Sequence, residues 1–154
     1  MHVSRKYPAW VYLTNIAALL GIALFATVAG AADEKPFAEH KVVLQISDND
    51  PSKQTLVLNV ANNMIKHYGS DKVDVEIVAF GPGVRLMFDD NVNKGRISGL
   101  DSNGVRFYAC GNTLKKMTKA LGKEPVLNPH AKHGGGGIVR ILELTSQGYT
   151  LVKP

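Results

Sequence analysis

The chain has 154 residues, which is enough for one compact domain or two small ones. Hydrophobic residues make up 45% of it and charged residues 20%, a composition that excludes a disordered or fibrous protein. It has a single cysteine, which excludes an intramolecular disulfide and a zinc site built on several thiolates of one chain.

Residues 1–31 have the pattern of a secretory signal peptide. Arg5 and Lys6 form a basic start, residues 16–28 are apolar, and residues 29–31 are small enough for a cleavage site. Cleavage removes two of the 18 basic residues and none of the 13 acidic ones, so the net charge falls from +5 to +3. That is an ordinary surface charge, and we expect no nucleic-acid partner.

The same segment allows a second interpretation, an uncleaved anchor, because residues 11–32 are long enough to span a bilayer. The polar residues 33–35 that follow the small residues favour cleavage. Both interpretations predict that the rest of the chain lies in the periplasm, attached to a membrane only if the segment stays in place. Residues 32–40 are a polar linker, and residues 41–154 are the predicted folded domain.

Five stretches after the linker are rich in branched apolar or aromatic residues and predict β-strands: residues 42–46, 73–80, 105–109, 126–127 and 149–152. Strands that alternate with helices indicate an α/β fold. We expect a single three-layer sandwich, with a mostly parallel sheet of about five strands and helices on both faces. In such sheets, sites lie at the carboxyl ends of the strands.

The clearest helix follows Asp50, a predicted cap, and repeats apolar side chains on one face as far as Tyr68. Further helical segments are predicted at residues 84–88 and 97–100, and from about residue 112 to residue 121. Residues 138–147 fit either a helix or a strand, because they are rich in branched side chains.

Cys110 stands where the third strand ends and a helix begins. A thiol at a helix N-terminus is stabilised as the thiolate, its nucleophilic form, by the helix dipole and unpaired N–H groups. Gly111 would leave room for a second reactant, and Asn112 and Thr113 would either orient a ligand or cap the helix. From the residues alone, a reactive thiol and an inert buried one are equally open.

His130 and His133 can join Cys110 in a mixed thiolate–imidazole metal site. Two histidines at this spacing are only a weak indication of a metal site, so we interpret them as exposed loop residues. No metal or other cofactor is predicted. The four glycines at residues 134–137 match no nucleotide-binding motif and predict a flexible hinge rather than an anion-binding loop.

Residues 104–114 read Gly-Val-Arg-Phe-Tyr-Ala-Cys-Gly-Asn-Thr-Leu and resemble the DsrE/DsrF-like family, in particular its exported single-domain branch. The Ala-Cys-x-Asn-Thr-Leu part is the specific element of this motif. The resemblance extends over about residues 40–154, and includes the opening strand at 41–47, the turn at 76–83 and the stretch 137–144.

The resemblance implies a five-stranded parallel sheet between helices, a helix over residues 138–147, and homo-oligomers, often trimers or hexamers. Family members that work in sulfur relays carry a persulfide on a cysteine after the third strand, and Cys110 matches that position. Asn112 and Thr113 match the motif of the exported branch, which assigns them no role.

Together these observations lead to the hypothesis of a periplasmic sulfur carrier that holds a persulfide on Cys110 and passes it to an acceptor thiol. Its donor and acceptor would be proteins or small thiols, and it would be at most a sulfurtransferase-type enzyme. The alternative is a non-catalytic oligomeric binding module for a small anion or a metal, in which His130 and His133 would matter. A subunit without a site of its own is a third possibility.

Overall fold

Five parallel strands form one sheet in the computed structural model, which describes residue 35 and residues 37–154. In chain order they are β1 (His40–Ile46), β2 (Val73–Ala79), β3 (Arg106–Ala109), β4 (Ala131–His133) and β5 (Thr150–Val152). Their spatial order is β4–β3–β2–β1–β5, and each neighbouring pair is parallel. The predicted α/β class and the mostly parallel sheet of about five strands are therefore confirmed.

Four α-helices lie in the described part of the chain: α1 (Pro51–Tyr68), α2 (Lys94–Asp101), α3 (Gly111–Leu121) and α4 (Gly137–Ser146). A 3-10 helix spans Gly81–Met87. As predicted, Asp50 caps α1 by accepting a hydrogen bond from the backbone N–H of Ser52 at 2.7 Å. Of residues 138–147, which were open between helix and strand, all but Gln147, the C-cap residue, belong to α4, as the resemblance implied.

The fourth strand was predicted in the wrong place. Strand β4 consists of Ala131–His133, whereas Leu127 forms an isolated antiparallel bridge with Phe88 and Val126 is exposed. The apolar pair at residues 126–127 suggested a strand, but β4 is a short edge strand with a single apolar residue, Ala131. Backbone pairing with β3 holds this strand in the sheet. Such pairing does not depend on the side chains, so the strand has no hydrophobic pattern from which it could be predicted.

The side chains of β2, the middle strand, divide between two cores. Val73, Val75, Ile77 and Ala79 pack in a large core with α1, α2 and α3. Val78 belongs to a smaller core on the opposite face, which is covered by α4. Alternate side chains of a strand point to opposite faces, so the sheet is the middle layer of the predicted sandwich.

Asp74 and Glu76 also point to the α4 face, and both carboxylates are buried. Burying a charge is costly unless the charge is paired and hydrogen-bonded. Asp74 accepts hydrogen bonds from the Tyr149 hydroxyl at 2.6 Å and from Arg106 Nη2 at 2.9 Å. The backbone N–H of Lys35 donates a further bond to it at 3.2 Å. These donors replace the water that the carboxylate loses on folding.

The predictions for residues 1–31, a cleaved signal or an anchor, lie outside the described residues. Residues Asp33–Pro154 cluster as one compact unit, which contains the whole sheet. Within residue 35 and residues 37–154, none of the helices is long and apolar enough to cross a membrane.

We expect Tyr149→Phe to lower the free energy of unfolding by about 1–3 kcal/mol, because the buried Asp74 carboxylate loses a donor. Tyr68→Phe is the matched control, since Tyr68 lies at the surface against His40 and should change stability by less than about 0.5 kcal/mol. Urea unfolding monitored by circular dichroism measures both variants, and equal stability of the two would contradict this account.

Candidate active site

Cys110 follows the last residue of β3 and is the N-cap residue of α3. Its backbone N–H continues the sheet by donating to the Ala79 carbonyl of β2 at 2.9 Å, so the residue is fixed at the carboxyl ends of two strands. Its exposed fraction is 5%. The thiol is therefore almost buried, at the edge of the sheet where α/β proteins place their sites.

The thiol sulfur accepts a hydrogen bond from the backbone N–H of Gly137 at 3.1 Å. Gly137 is the first residue of α4, and Cys110 caps α3, so the N-termini of two helices meet at one sulfur atom. Backbone N–H groups in a first helical turn lack a partner within their own helix and form the positive end of its dipole. Both features favour a negative charge on the sulfur.

The balance of these influences lowers the pKa of Cys110 below its ordinary value. Burial is the largest single influence and acts to raise the pKa of the thiol. The Thr113 hydroxyl and the backbone N–H groups of Thr113, Gly137 and Asn112 act in the opposite direction and together outweigh burial. The thiolate is therefore favoured by directed hydrogen-bond donors in spite of its low exposure.

Thr113 lies beside Cys110 in the structure, but its predicted role as a helix cap is wrong. The helix begins earlier, at Gly111. The Thr113 hydroxyl oxygen accepts a hydrogen bond from the Gly81 backbone N–H at 3.0 Å, which leaves its own hydrogen free to donate to the sulfur. Asn112 is likewise not the cap, and its exposed side chain lies next to Gly136.

Gly111 does not leave the open space that the sequence suggested for a second reactant. It is buried, and its backbone N–H donates to the Gly135 carbonyl at 3.0 Å. A Cβ atom at Gly111 would lie 1.7 Å from the Gly134 carbonyl oxygen, and one at Gly137 would lie 3.2 Å from Cys110 Cβ. The absence of side chains at these positions lets two backbone segments come into contact. This contact accounts for the glycines directly, whereas the sequence predicted a flexible hinge at residues 134–137.

Tyr108 is a site residue that the sequence analysis missed. It precedes Cys110 by two residues, so the alternation of β3 puts both on the α4 face. Its hydroxyl would lie 2.6 Å from a Cβ at Gly134, and the Arg140 guanidinium lies 5.7 Å from its ring centre. Burial, the largest influence, raises the pKa of Tyr108. The neutral phenol thus remains a hydrogen-bond donor beside the site.

Glu76 and Arg140 form a two-point ion pair between β2 and α4, also missed from sequence. Arg140 Nε and Nη2 each lie 2.7 Å from a Glu76 carboxylate oxygen, and Arg106 Nη1 lies 3.0 Å from the same carboxylate. This hydrogen bonding to Glu76 raises the pKa of Arg140 further above its ordinary value. A bidentate pair of this kind sets both distance and orientation.

His130 and His133 do not form a histidine pair around Cys110 in the described contacts. His130 Nδ1 lies 2.7 Å from Asp101 Oδ2, at the end of α2, and His133 is an exposed residue of β4. Among residue 35 and residues 37–154, no group of three or more His, Cys, Asp or Glu residues is placed to hold a metal ion.

A cleft of about 400 Å³ adjoins the site along α3. Gly111 and Gly134 form its end nearest the thiol, and its charged or titratable lining consists of Lys115, Lys119, Glu124 and His133. Lys115 and Lys119 are one helical turn apart, so both ammonium groups lie on the face that borders the cleft.

No protein-family model matches the chain, and no curated protein matches it. Among solved structures, MTH1491 of Methanobacterium thermoautotrophicum, a protein of unknown function, is 28% identical with a TM-score of 0.66. That match covers 75% of this chain and 99% of the other. BT1422 of Bacteroides thetaiotaomicron, also of unknown function, is 15% identical with a TM-score of 0.47, over 74% and 94% of the two chains. The first of these shares the fold of this chain.

We expect the rate of Cys110 alkylation in the folded protein to rise with pH around a midpoint below that of the urea-unfolded protein. The reason is the lowered pKa of the folded thiol. By linkage, the thiolate contributes stability that is full above the unfolded pKa and is lost as pH falls through the folded one. Mass spectrometry after iodoacetamide treatment measures both midpoints, and a higher midpoint in the folded protein would refute the expectation.

Proposed function

We propose that this protein is a periplasmic sulfur carrier, in which Cys110 takes up a sulfane sulfur atom, holds it as a persulfide and passes it to an acceptor thiol. One observation carries the proposal. The sulfur of the chain's single cysteine accepts a hydrogen bond from Gly137 at 3.1 Å, at the meeting point of the N-termini of α3 and α4. A carrier needs such a stabilised sulfur anion before loading and after release.

The chemistry is a pair of sulfur exchanges without net oxidation. In loading, the Cys110 thiolate attacks the outer sulfur of a donor persulfide, R–S–SH. The sulfur–sulfur bond of the donor breaks, Cys110 becomes Cys–S–SH, and the donor leaves as the thiolate R–S⁻. In release, an acceptor thiolate attacks the same outer sulfur, and Cys110 leaves as the thiolate that its hydrogen-bond donors stabilise.

The resemblance to the DsrE/DsrF-like family supports this role. The motif Ala-Cys-x-Asn-Thr-Leu begins at Ala109, and Cys110 stands after the third strand, where relay members of that family carry their persulfide. The five-stranded parallel sheet agrees with the fold that the resemblance implies. We propose the exported branch as the place of this chain within the family, on the basis of the signal pattern in residues 1–31.

The low exposure of Cys110 narrows the class of donor. With 5% of the residue exposed, a broad protein surface does not reach the sulfur. The class of donor that we propose is therefore a small persulfide or a donor cysteine on a projecting segment. The adjoining cleft has two ammonium groups, Lys115 and Lys119, against one carboxylate, Glu124, and this excess of positive charge favours donors that carry a negative charge.

Cys110→Ser should abolish sulfur loading, because the hydroxyl that replaces the thiol is not nucleophilic at neutral pH. The purified wild type, mixed with a small persulfide, should gain the mass of one sulfur atom, and a reductant should reverse the gain. The serine variant, checked for its fold by circular dichroism, is the control. Loading of that variant, or no adduct on the folded wild type, would end the proposal.

We also propose that the carrier is a homo-oligomer. Ile138, Val139 and Leu142 lie on the outer side of α4 with half or more of each side chain exposed, although all three are apolar. Leu151 and Val152 on the edge strand β5 add partly exposed apolar surface. Apolar patches of this kind are typical of protein interfaces. A second copy of the chain as the occupant agrees with the trimers and hexamers that the resemblance implies.

Light scattering should therefore give the wild type a mass that is a multiple of the chain mass. Leu142→Glu should shift the protein toward the monomer, because it places a charge in the interface. Val92→Glu is the matched control, since Val92 is 94% exposed in the loop before α2 and should leave the mass unchanged. A monomeric wild type would refute the oligomer.

A further inference from the structure

Helix α4 contacts the site at one residue and the sheet at another, one turn apart. Gly137, its first residue, donates to the Cys110 sulfur, and Arg140 forms the two-point pair with Glu76 of β2. Three residues of α-helix rise about 4.5 Å as a rigid unit. The position of the Arg140 backbone therefore sets the position of the Gly137 N–H group.

The side chains of this first turn bury little apolar surface, although Gly137 itself is buried next to Phe80. Ile138 and Val139, which follow Gly137, are both more than half exposed. The buried apolar residues of α4 are Ile141 and Leu144, which hold its middle and its end. The start of α4 is held by the backbone bond between Gly111 and Gly135, and the pair with the buried Glu76 carboxylate attaches the rest of its first turn to β2.

We propose that Glu76 and Arg140 are positioning residues that hold the first turn of α4 against the sheet and so keep the Gly137 N–H group on the Cys110 sulfur. This inference rests on the proposed function of Cys110 and assigns to a remote ion pair the control of its reactivity. Neither residue touches the reacting sulfur. Their effect passes through the placement of one backbone donor, 3.1 Å from the sulfur.

For the variant Glu76→Gln, the change in charge alone predicts a lower pKa of Cys110, whereas the proposed loss of the Gly137 hydrogen bond predicts a higher one. The charged or titratable groups around the thiol are Tyr108 on β3, Arg140 and Glu143 on α4, and Lys115 and His133 at the adjoining cleft. Replacing the Glu76 carboxylate by an amide removes a negative charge, and by charge alone this favours the thiolate. Loss of the Gly137 hydrogen bond disfavours the thiolate, so the direction of the change separates the two effects.

The test is the pH midpoint of Cys110 alkylation by iodoacetamide, measured by intact mass on the purified protein. The single cysteine makes this readout specific. We expect Glu76→Gln to raise the midpoint by about half a unit to one unit, the size of one lost hydrogen bond. Arg140→Lys should also raise it, because lysine keeps the charge but makes no bidentate pair. If Glu76→Gln does not fold, Arg140→Lys decides the question.

Asp74→Asn is the matched control. Asp74 is a buried carboxylate of the same strand and the same face, and its described partners, Arg106, Tyr149 and Lys35, lie outside α4. Arg106 also binds Glu76, but the two-point pair of Glu76 with Arg140 does not involve Asp74. Its loss should lower the melting temperature and leave the alkylation midpoint unchanged. An unchanged or lower midpoint in Glu76→Gln, an unchanged one in Arg140→Lys, or an equal rise in Asp74→Asn would each overturn the inference.

Alkylation does not require a sulfur donor, so the outcome is independent of the loading experiment. A protein that takes up no sulfur but shows the expected midpoints would refute the carrier and leave the positioning role of Glu76 and Arg140 intact. A protein that loads sulfur while Glu76→Gln keeps the wild-type midpoint would support the carrier and refute the positioning role of Glu76 and Arg140.

Discussion

The contact between the backbone of residues 134–137 and the start of α3 is the constraint on which the site depends. Gly111 donates to the Gly135 carbonyl, and the Gly134 carbonyl lies where any side chain at Gly111 would stand. The contact brings the first turn of α4 onto a residue that belongs to β3 and α3. Without it, the thiol would have one helix N-terminus beside it instead of two.

Buried ion pairs form a second set of contacts on the same face of the sheet. The central strand β2 points Asp74 and Glu76 into the face covered by α4. Arg106 pairs with both carboxylates, and Arg140 pairs with Glu76. Buried ion pairs contribute little net stability compared with apolar packing, and in some proteins their role is to specify geometry. In the proposed arrangement, the Glu76–Arg140 pair orients α4 relative to the strands that carry the thiol.

The sequence predicted the layers of the fold because those depend on local patterns. The apolar face of α1, its Asp50 cap and the branched residues of β2 are signals within single segments. Strand β4 was not predicted, since its three edge residues, Ala-Lys-His, carry no such pattern. The sequence Val-Asp-Val-Glu-Ile in β2 resembles a half-exposed strand, yet its polar face is covered by α4 and satisfied by arginines. Cys110 was predicted as a site residue because it stands between a predicted strand and a predicted helix. Its neighbours Gly137 and Tyr108 could not be predicted in this way, because their places at the site depend on how distant segments pack.

A chain with one cysteine has no second thiol with which to resolve its own persulfide. An internal attack would close a disulfide and expel the carried sulfur as hydrosulfide, a wasteful route open to proteins with paired cysteines and closed here. The low exposure of Cys110 adds protection against attack by the same residue of another copy. In the proposed carrier, the lifetime of the loaded state is thus set by the arrival of an acceptor, and each subunit delivers one sulfur atom per encounter.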